Sequence, residues 1–317
     1  MSKLVKLGNT GMMISPLVFG ALPVGPLQAN LSEEEGGRLI RYALDRGVNM
    51  IDTAEMYGTY RHVHQGIKDF AGPVHIASKT HAATADDARK HVEHALQEID
   101  IDCLDIVHIH GARIADPFTE RAEVLEALLK MKAEGLLRHV GLSSHYISAF
   151  RKAAEHPEIE VLHPLINSEG MGIIDGTKEE MAAAIQECAQ TGQGVYAMKA
   201  LAGGNFISDA RNKFRYVLNL AGVHAVAVGM LSTSEIDGNY ELFCENHEDE
   251  KLWTELERKR REIKIMENFC KGCGDCIPAC TNHGIYLEGG KARVKREDCI
   301  LCGYCAAACP DFIIRVV

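Results

Sequence analysis

The sequence predicts an α/β fold, namely a (β/α)8 barrel of the TIM type followed by a small α+β domain. Three features support this prediction. Eight short apolar runs alternate with helical stretches over roughly the first 240 residues, a charged stretch follows, and eight of the eleven cysteines then fall between residues 270 and 309. A chain of 317 residues with 46% hydrophobic content is long enough to bury more than one core.

The barrel prediction depends on the number of strands. Eight strand and helix repeats favour a closed parallel barrel over an open doubly wound sheet. A dinucleotide-binding Gly-x-Gly-x-x-Gly does not follow the first apolar run, which further disfavours the open sheet. The predicted strands are Leu17–Gly20, Val48–Asp52, Val74–Lys79, Leu104–His110, His139–Ser143, Val161–Asn167, Gly194–Lys199 and Val223–Gly229.

Capping residues mark the predicted helices between these strands. Ser32 with Glu35 forms a capping box, in which each side chain satisfies a free backbone N–H of the other residue. Thr84 with Asp87 is a second helix start of the same kind. Glycine is favoured just after a helix because it adopts the left-handed conformation without strain. Helices are therefore expected to end at Gly47, Gly135 and Gly192.

Composition changes near residue 245. Residues 245–265 are acidic first and basic later and contain few turn-forming residues, which predicts an exposed helical linker. We therefore predict a barrel over residues 1–244, a linker over 245–265 and a second domain over 266–317. That last segment carries six basic and six acidic residues. Its balanced charge favours packing against its own barrel over steering toward a charged partner.

The whole-chain charge and hydropathy limit the partners. A net charge of −10 argues against nucleic-acid binding, since such proteins carry basic patches. Apolar runs stay well short of the ~20 residues that a membrane span requires. The first residues also lack the apolar segment of an export signal. We expect a cytoplasmic protein with neither a membrane nor a nucleic-acid partner.

The eight clustered cysteines repeat one spacing, Cys-x2-Cys-x2-Cys-x3-Cys, which is typical of the ligands of two [4Fe-4S] clusters. Disulfides are disfavoured in a reducing compartment, and paired zinc knuckles remain the alternative. In this spacing the fourth cysteine of each run reaches the other cluster. The first cluster is therefore assigned to Cys270, Cys273, Cys276 and Cys309, and the second to Cys299, Cys302, Cys305 and Cys280.

Four polar residues at predicted strand ends form a chemically coherent set. In (β/α)8 enzymes the chemistry collects at the carboxyl ends of the strands. Tyr57 can protonate a carbonyl oxygen if a cation lowers its pKa from about 10. Lys79 would supply that cation, Asp52 would hold Lys79, and His110 would orient the carbonyl. His108 shares a strand face with His110, and we interpret it as a buried core histidine.

Six motifs stand out in the first 240 residues: Leu7–Met12, Ser15–Gly20, Asp52–Gly58, Ala77–Lys79, Leu104–His110 and Gly141–Ser144. With these motifs the segment resembles the aldo-keto reductases. The resemblance implies a barrel that interconverts carbonyls and alcohols by hydride transfer, with Asp52, Tyr57, Lys79 and His110 as its catalytic tetrad. The second domain, including Pro310 after the last ligand, resembles a bacterial two-cluster ferredoxin. Met198–Gly204 reads Met-Lys-x-Leu-Ala-Gly-Gly, and with it the fusion resembles a ferredoxin-bearing subgroup of the family.

The resemblance also implies a nicotinamide cofactor, with departures from the family pattern. Gly229 and Glu235 stand where a basic pair would hold the 2′-phosphate of NADP(H). This predicts NAD(H) over NADP(H). Met198 replaces an aromatic ring over the nicotinamide, and Ser144 replaces an asparagine that contacts the carboxamide. The further expected cofactor contacts are Ser143, Asn167, Lys199, Ser232 and Asn239.

Hydride carries two electrons, whereas each cluster exchanges one. We consider three hypotheses. In the first, a flavin or a radical-tolerant substrate in the barrel splits the electron pair, and the clusters carry single electrons. In the second, the barrel uses NAD(H) alone and the ferredoxin segment is a structural cap; in the third, the barrel uses no nicotinamide and reducing power enters only through the clusters. The substrate is expected to be a small carbonyl or alcohol, and an electron carrier protein is a further candidate partner. Two alternative functions are considered. One is a metal-dependent hydrolase that uses His108 and His110, and the other is a redox-sensing binding protein without turnover.

Overall fold

The structure, a computed structural model, describes residues 4–112, 114–311 and 313–316. It confirms the predicted barrel: eight parallel strands close on themselves, with the last strand hydrogen-bonded to the first. A short hairpin of β1 (Val5–Lys6) and β2 (Met13–Ile14) precedes them. The barrel strands are β3 (Leu17–Gly20), β4 (Met50–Asp52), β5 (His75–Thr80), β6 (Leu104–Gly111), β7 (Leu137–Ser144), β8 (Val161–Pro164), β9 (Gly194–Ala197) and β10 (Ala225–Gly229).

Two strands end earlier than predicted, and both ends lie at the barrel mouth. β8 stops before Asn167 because that side chain accepts hydrogen bonds from the backbone of Glu169 and Met171 and closes a turn. β9 stops before Lys199, whose φ of 65° is left-handed and incompatible with a strand. Side-chain bonding and backbone conformation therefore override the apolar pattern at these points.

Helices alternate with the barrel strands, and their starts follow the capping signals. The Ser32 hydroxyl accepts from the Glu35 N–H at 3.2 Å, and Thr84 accepts from Asp87 in the same way. Gly47 ends the first helix with a φ of 110°. The helices are α1 (Glu33–Arg46), α2 (Tyr60–Ile67), α3 (Ala85–Ile99), α4 (Pro117–Glu120), α5 (Ala122–Ala133), α6 (Ile147–Ala153), α7 (Lys178–Gln190), α8 (Ala210–Leu218), α9 (Thr233–Tyr240), α10 (Glu250–Leu256) and α11 (Tyr304–Ala307).

Within the described residues, none of these helices combines the length and apolar composition that a bilayer crossing requires.

Alternation along the strands produces two apolar layers. In β9, Val195 and Ala197 join the layer between strands and helices, whereas Tyr196 points into the barrel. Leu7 and Ile14, from the hairpin region, are fully buried in the interior layer. The hairpin thus closes the amino-terminal end of the barrel, which leaves the carboxyl end for the site.

The second domain is small and mixed, as predicted. β11 (Ile263–Ile265) pairs antiparallel with β14 (Ile314–Val316), and β12 (Ile285–Glu288) pairs with β13 (Lys291–Val294). Buried isoleucines from both sheets surround the cysteines. Strand β11 begins just before residue 266, so pairing extends this domain slightly into the predicted linker.

Most of the linker is exposed, as expected, but one face of its helix packs on the barrel. Its helix α10 covers seven residues, and Trp253 and Leu256 of this helix are buried in the barrel's outer core. Arg211 on α8 holds the segment through ion pairs with Glu250 at 2.8 Å and Glu257 at 3.0 Å. The high charge of this stretch concealed two apolar residues that lie one helical turn apart on the same face.

Candidate functional site

The four predicted catalytic residues meet at the carboxyl end of the barrel. Asp52 is the last residue of β4, and Lys79 lies near the end of β5. The Lys79 Nζ donates to Asp52 Oδ1 at 2.7 Å, to Oδ2 at 2.6 Å, and to the Thr53 carbonyl at 2.9 Å. Both side chains are almost completely buried. Each of the three N–H bonds of the Lys79 ammonium thus has an acceptor within the barrel, and these contacts fix the geometry of the ion pair.

Tyr57 and His110 complete the group. A short 3-10 helix, Glu55–Tyr57, follows β4 and carries Tyr57 over the barrel mouth. The rings of Tyr57 and His110 meet edge to face, with centroids 6.1 Å apart. The Lys79 ammonium lies 5.0 Å from the centroid of the Tyr57 ring. The structure therefore brings together all four residues that the sequence analysis selected.

The pKa of Tyr57 corrects one expectation. Burial, followed by the neighbouring Tyr304 and Asp52, raises the pKa of Tyr57 well above its usual 10. We expected Lys79 to lower it, but Asp52 compensates the ammonium charge. Burial, then the Lys79 charge, holds the pKa of His110 well below its usual range. At neutral pH the site thus presents a protonated phenol and a neutral imidazole.

A layer beneath the tetrad was only partly foreseen. The Tyr196 hydroxyl donates to Asp52 Oδ1 at 2.8 Å and lies 2.6 Å from His108 Nε2. His163 stacks on the Tyr196 ring, with centroids 4.1 Å apart. His108 is fully buried, in agreement with our interpretation of a core histidine. Strand alternation from Gly194 would have placed Tyr196 inward, and that signal was overlooked.

A cleft opens beside the tetrad at the ends of β9 and β10. Five of the predicted cofactor residues line it, together with Asp52 and Tyr57. The Asn239 Oδ1 is buried without a hydrogen-bond partner among the described residues, and so is the Ser143 Oγ. Buried polar atoms normally have partners, so these atoms fit contacts to a bound molecule. The five lining residues are Met198, Lys199, Gly229, Glu235 and Asn239.

Three of the four remaining predicted cofactor residues, all but Ser143, are engaged by the protein itself. Ser144 donates to the Gly111 carbonyl at 3.3 Å and accepts from the Tyr146 N–H at 3.1 Å. The amide of Asn167 bonds to the backbone of the loop that follows it. Ser232 caps α9 by accepting from the Glu235 N–H. The first two therefore shape the loops around the cleft.

Two cations of the linker also line the cleft, and sequence reasoning missed them. The Lys259 Nζ lies 2.6 Å from Glu235 Oε1 and 3.2 Å from the Ser232 hydroxyl. Arg261 lines the same cleft. The Glu235 carboxylate is thus already compensated, although it was the reason to expect NAD(H). The residues are far from the barrel motifs in sequence, so spacing alone gave no signal.

The four residues assigned to the first cluster, Cys270, Cys273, Cys276 and Cys309, line one small cavity. The thiols that act electrostatically on Cys305 include Cys302, Cys299 and Cys280. Backbone N–H groups point at sulfur, from Ala292 to Cys270 at 3.3 Å and from Gly284 to Cys280 at 3.1 Å. Such donors are typical of iron–sulfur ligands.

The sulfur spacing bears on the zinc alternative. A tetrahedral zinc ion with Zn–S bonds of about 2.3 Å holds its sulfur atoms about 3.8 Å apart. Among the cysteines, all of which the structure describes, no three sulfur atoms lie within 4.8 Å of one another. A cubane is larger than one ion and holds its ligands further apart. The two sets therefore fit [4Fe-4S] clusters better than zinc.

Exchange of the fourth ligand between the runs can be tested by alanine substitution. We expect Cys309→Ala to remove the same cluster as Cys270→Ala, and Cys280→Ala to remove the same cluster as Cys299→Ala. Each variant should lose about half of the iron, since each run would serve one four-iron cluster. Iron analysis and electron paramagnetic resonance after anaerobic purification measure this. Matching spectra for Cys280→Ala and Cys270→Ala would instead place each complete run on its own cluster.

The segment 299–302, which carries two proposed ligands of the second cluster, packs over the barrel mouth. The Leu301 carbonyl accepts from Gln28 Nε2 at 3.3 Å, and the Cys299 carbonyl accepts from Asn205 Nδ2 at 2.8 Å. Gly203 has a φ of 72°, and a Cβ there would lie 2.0 Å from the Ile300 carbonyl oxygen. Only glycine permits this close approach.

Tyr304 joins this segment to the tetrad. Its hydroxyl lies 3.2 Å from His110 Nε2 and hydrogen-bonds to Tyr57. Tyr57 and Tyr304 are buried in one apolar group, against which Cys302 packs. The cluster-bearing domain therefore contributes directly to the surroundings of the proposed proton donor.

The barrel and its second domain together define an oxidoreductase with an iron–sulfur domain. The profile of the Aldo/keto reductase family matches residues 16–214, and that of the 4Fe-4S dicluster domain matches residues 262–310. The chain belongs to the aldo/keto reductase family and carries a 4Fe-4S dicluster domain at its carboxyl end.

Individual relatives agree with this assignment. An L-galactose dehydrogenase of Arabidopsis thaliana is 23% identical in an alignment 302 residues long that covers 82% of this chain and 95% of the relative. A structure described as an aldo-keto reductase of Pseudomonas aeruginosa is 25% identical and has a TM-score of 0.65, covering 75% of this chain and 93% of its own. A holo-form aldo-keto reductase from Bacillus halodurans, 20% identical over 81% of this chain and 96% of its own, has the same fold at a TM-score of 0.65.

Proposed function

We propose that this protein interconverts a small carbonyl compound and its alcohol, with a nicotinamide dinucleotide in the cleft beside Tyr57. The observation that carries the proposal is the buried meeting of Tyr57, Lys79, Asp52 and His110 at the barrel mouth. A nicotinamide bound there supplies or accepts hydride at the carbonyl carbon. Met198 and Asn239 line the cleft and would hold the two ends of the cofactor.

The protein's own groups manage the carbonyl oxygen. The Tyr57 hydroxyl donates a proton to that oxygen as the carbon gains hydride, which balances the reduction to an alcohol. Neutral His110 would donate from Nε2 to the same oxygen and orient it, once that oxygen takes the place of the Tyr304 hydroxyl beside Nε2. The ion pair of Lys79 and Asp52 lies beside Tyr57, with the ammonium 5.0 Å from the centroid of the Tyr57 ring. In the oxidative direction Tyr57 recovers the proton from the alcohol.

The dicluster domain would act as a cap and as a second redox centre. Tyr304 covers the tetrad, which supports the hypothesis of a cap that excludes water. One observation favours electron transfer as a second candidate function: Cys302, a proposed ligand of the second cluster, packs beside Tyr57. On the far side, Cys273 is exposed, and Phe269 is 68% exposed. An electron carrier protein would dock there, and a flavin or radical-tolerant substrate would then have to split the electron pair.

Deuterium transfer tests the proposal. Anaerobically purified protein with both clusters intact is mixed with an aldehyde such as benzaldehyde and with NADH or NADPH carrying deuterium at the transferable position. We expect deuterium at the carbinol carbon of the product, measured by mass spectrometry. Solvent hydrogen at that carbon would favour electron delivery through the clusters or a flavin. Absence of product across a panel of small carbonyls with either cofactor would contradict the proposal.

For the cofactor, we propose NAD(H) over NADP(H). At the position expected to meet a 2′-phosphate, the Glu235 carboxylate already neutralises the Lys259 ammonium, and this pairing supports the preference. The same assay, run with each cofactor over a range of concentrations, compares the two directly.

A further inference from the structure

The linker places an arginine in the cofactor cleft without an acidic partner. Arg261 donates from Nη2 to Gln28 Oε1 at 2.5 Å and from Nη1 to the Gly203 carbonyl at 3.5 Å. Among the residues that the structure describes, no carboxylate lies within 4.0 Å of its guanidinium. Burial lowers the pKa of Arg261 even though Glu235 opposes the shift. An enclosed cation without a counterion is costly unless an anion binds to it.

A second cation, Lys199, lines the same cleft as Arg261. Its φ of 65° lies in the left-handed region, which is unusual for lysine. Two like charges that line one cleft favour an anion between them.

Glycines make room for this arrangement. Gly204 has a φ of 122°, and a Cβ there would lie 2.7 Å from Arg261 Cδ. The arginine therefore packs directly on the backbone of the loop after β9. This loop lines the same cleft as Met198 and Asn239. A dinucleotide with its nicotinamide at Met198 and its adenine at Asn239 would place its negatively charged middle, the diphosphate, along this loop beside Arg261.

We propose that Arg261, assisted by Lys199, binds the diphosphate of the dinucleotide cofactor, so that the linker completes a cofactor site otherwise built by the barrel. This proposal rests on the proposed function for the identity of the cofactor. Arg261 suits the role because its planar guanidinium can donate two parallel hydrogen bonds to phosphate oxygens. The linker is then a binding element as well as a connection between domains.

Binding of ADP-ribose to Arg261→Gln, measured by isothermal titration calorimetry on anaerobic holoprotein, tests the proposal. We expect affinity to fall about 10- to 100-fold, the range for losing charge-assisted hydrogen bonds. NADH and NADPH should lose affinity by the same factor, since both contain the diphosphate. Arg260→Gln is the matched control, because Arg260 is exposed and bonds to backbone carbonyls of its own turn. Its affinity should equal that of the wild type.

Three outcomes would overturn the proposal: unchanged binding in Arg261→Gln, an equal loss in Arg260→Gln, or a loss confined to NADPH, which would assign Arg261 to the 2′-phosphate. Should Arg261→Gln fold poorly, as judged by iron content and tryptophan fluorescence, Arg261→Lys keeps the charge and is expected to show a smaller loss. ADP-ribose lacks nicotinamide, so its binding is independent of hydride transfer. Wild-type binding of ADP-ribose without carbonyl turnover would therefore reject the proposed function and leave this inference standing.

Discussion

Replacing Tyr57 by phenylalanine is expected to lower kcat/KM for carbonyl reduction by about 10²- to 10⁴-fold, the usual contribution of a positioned proton donor. The substitution removes one hydroxyl and keeps the ring that packs against His110 and Tyr304. Without that proton, negative charge would develop on the carbonyl oxygen in a buried site. The hydride step would then lack its proton partner.

The measurement is steady-state kinetics with deuterated cofactor under anaerobic conditions, with cofactor affinity recorded separately. Affinity for the dinucleotide should change little, since the hydroxyl serves the carbonyl. Tyr60→Phe is the matched control. Tyr60 is equally buried and lies three residues away, but its hydroxyl bonds to Ser78 at 2.8 Å rather than facing the mouth. If Tyr57→Phe keeps wild-type turnover, the proton donor is another group and the proposed function loses its main support.

Replacing Lys79 by methionine is expected to reduce both stability and activity. The ammonium is buried and bonded to both oxygens of Asp52. Its removal leaves an unpaired buried carboxylate with Tyr196 as a remaining donor. Breaking a buried pair from one side typically costs about 3–5 kcal/mol of unfolding free energy. We therefore expect the urea concentration at the midpoint of unfolding to fall. Fluorescence of Trp253, the chain's single tryptophan, reports the unfolding.

A double variant separates the two effects. In the double variant Lys79→Met, Asp52→Asn, no charge is left without a partner, so the free energy of unfolding should partly recover. Activity should stay low, because Tyr57 has lost the ammonium beside its ring. Lys90→Met is the surface control: Lys90 pairs with Asp87 on the exposed side of α3, and its loss should leave the midpoint unchanged. An unchanged midpoint in Lys79→Met would show that the Asp52 carboxylate is stabilised without the ammonium.

Much of the architecture follows from local patterns in the chain. Apolar runs and capping signals indicate the eight strands and their helices, because each depends on neighbours a few residues apart. The boundaries at Asn167 and Lys199 differed, since a side-chain bond and a left-handed backbone ended those strands. The packed face of the linker was missed for a related reason: average charge hid the two apolar residues that anchor it, Trp253 and Leu256.

The sequence by itself determined the barrel, the tetrad and the spacing of the cluster ligands, because motif residues at strand ends must converge once a barrel closes. Only the tertiary structure decided what surrounds them. Tyr304 reaches His110 across 194 residues, and Arg261 reaches the cleft beside the tetrad from a segment outside the barrel. It also decided the electrostatics, raising the pKa of Tyr57 where the sequence suggested lowering. Such contacts depend on how one domain packs on another, and periodicity within a strand or helix carries no information about that packing.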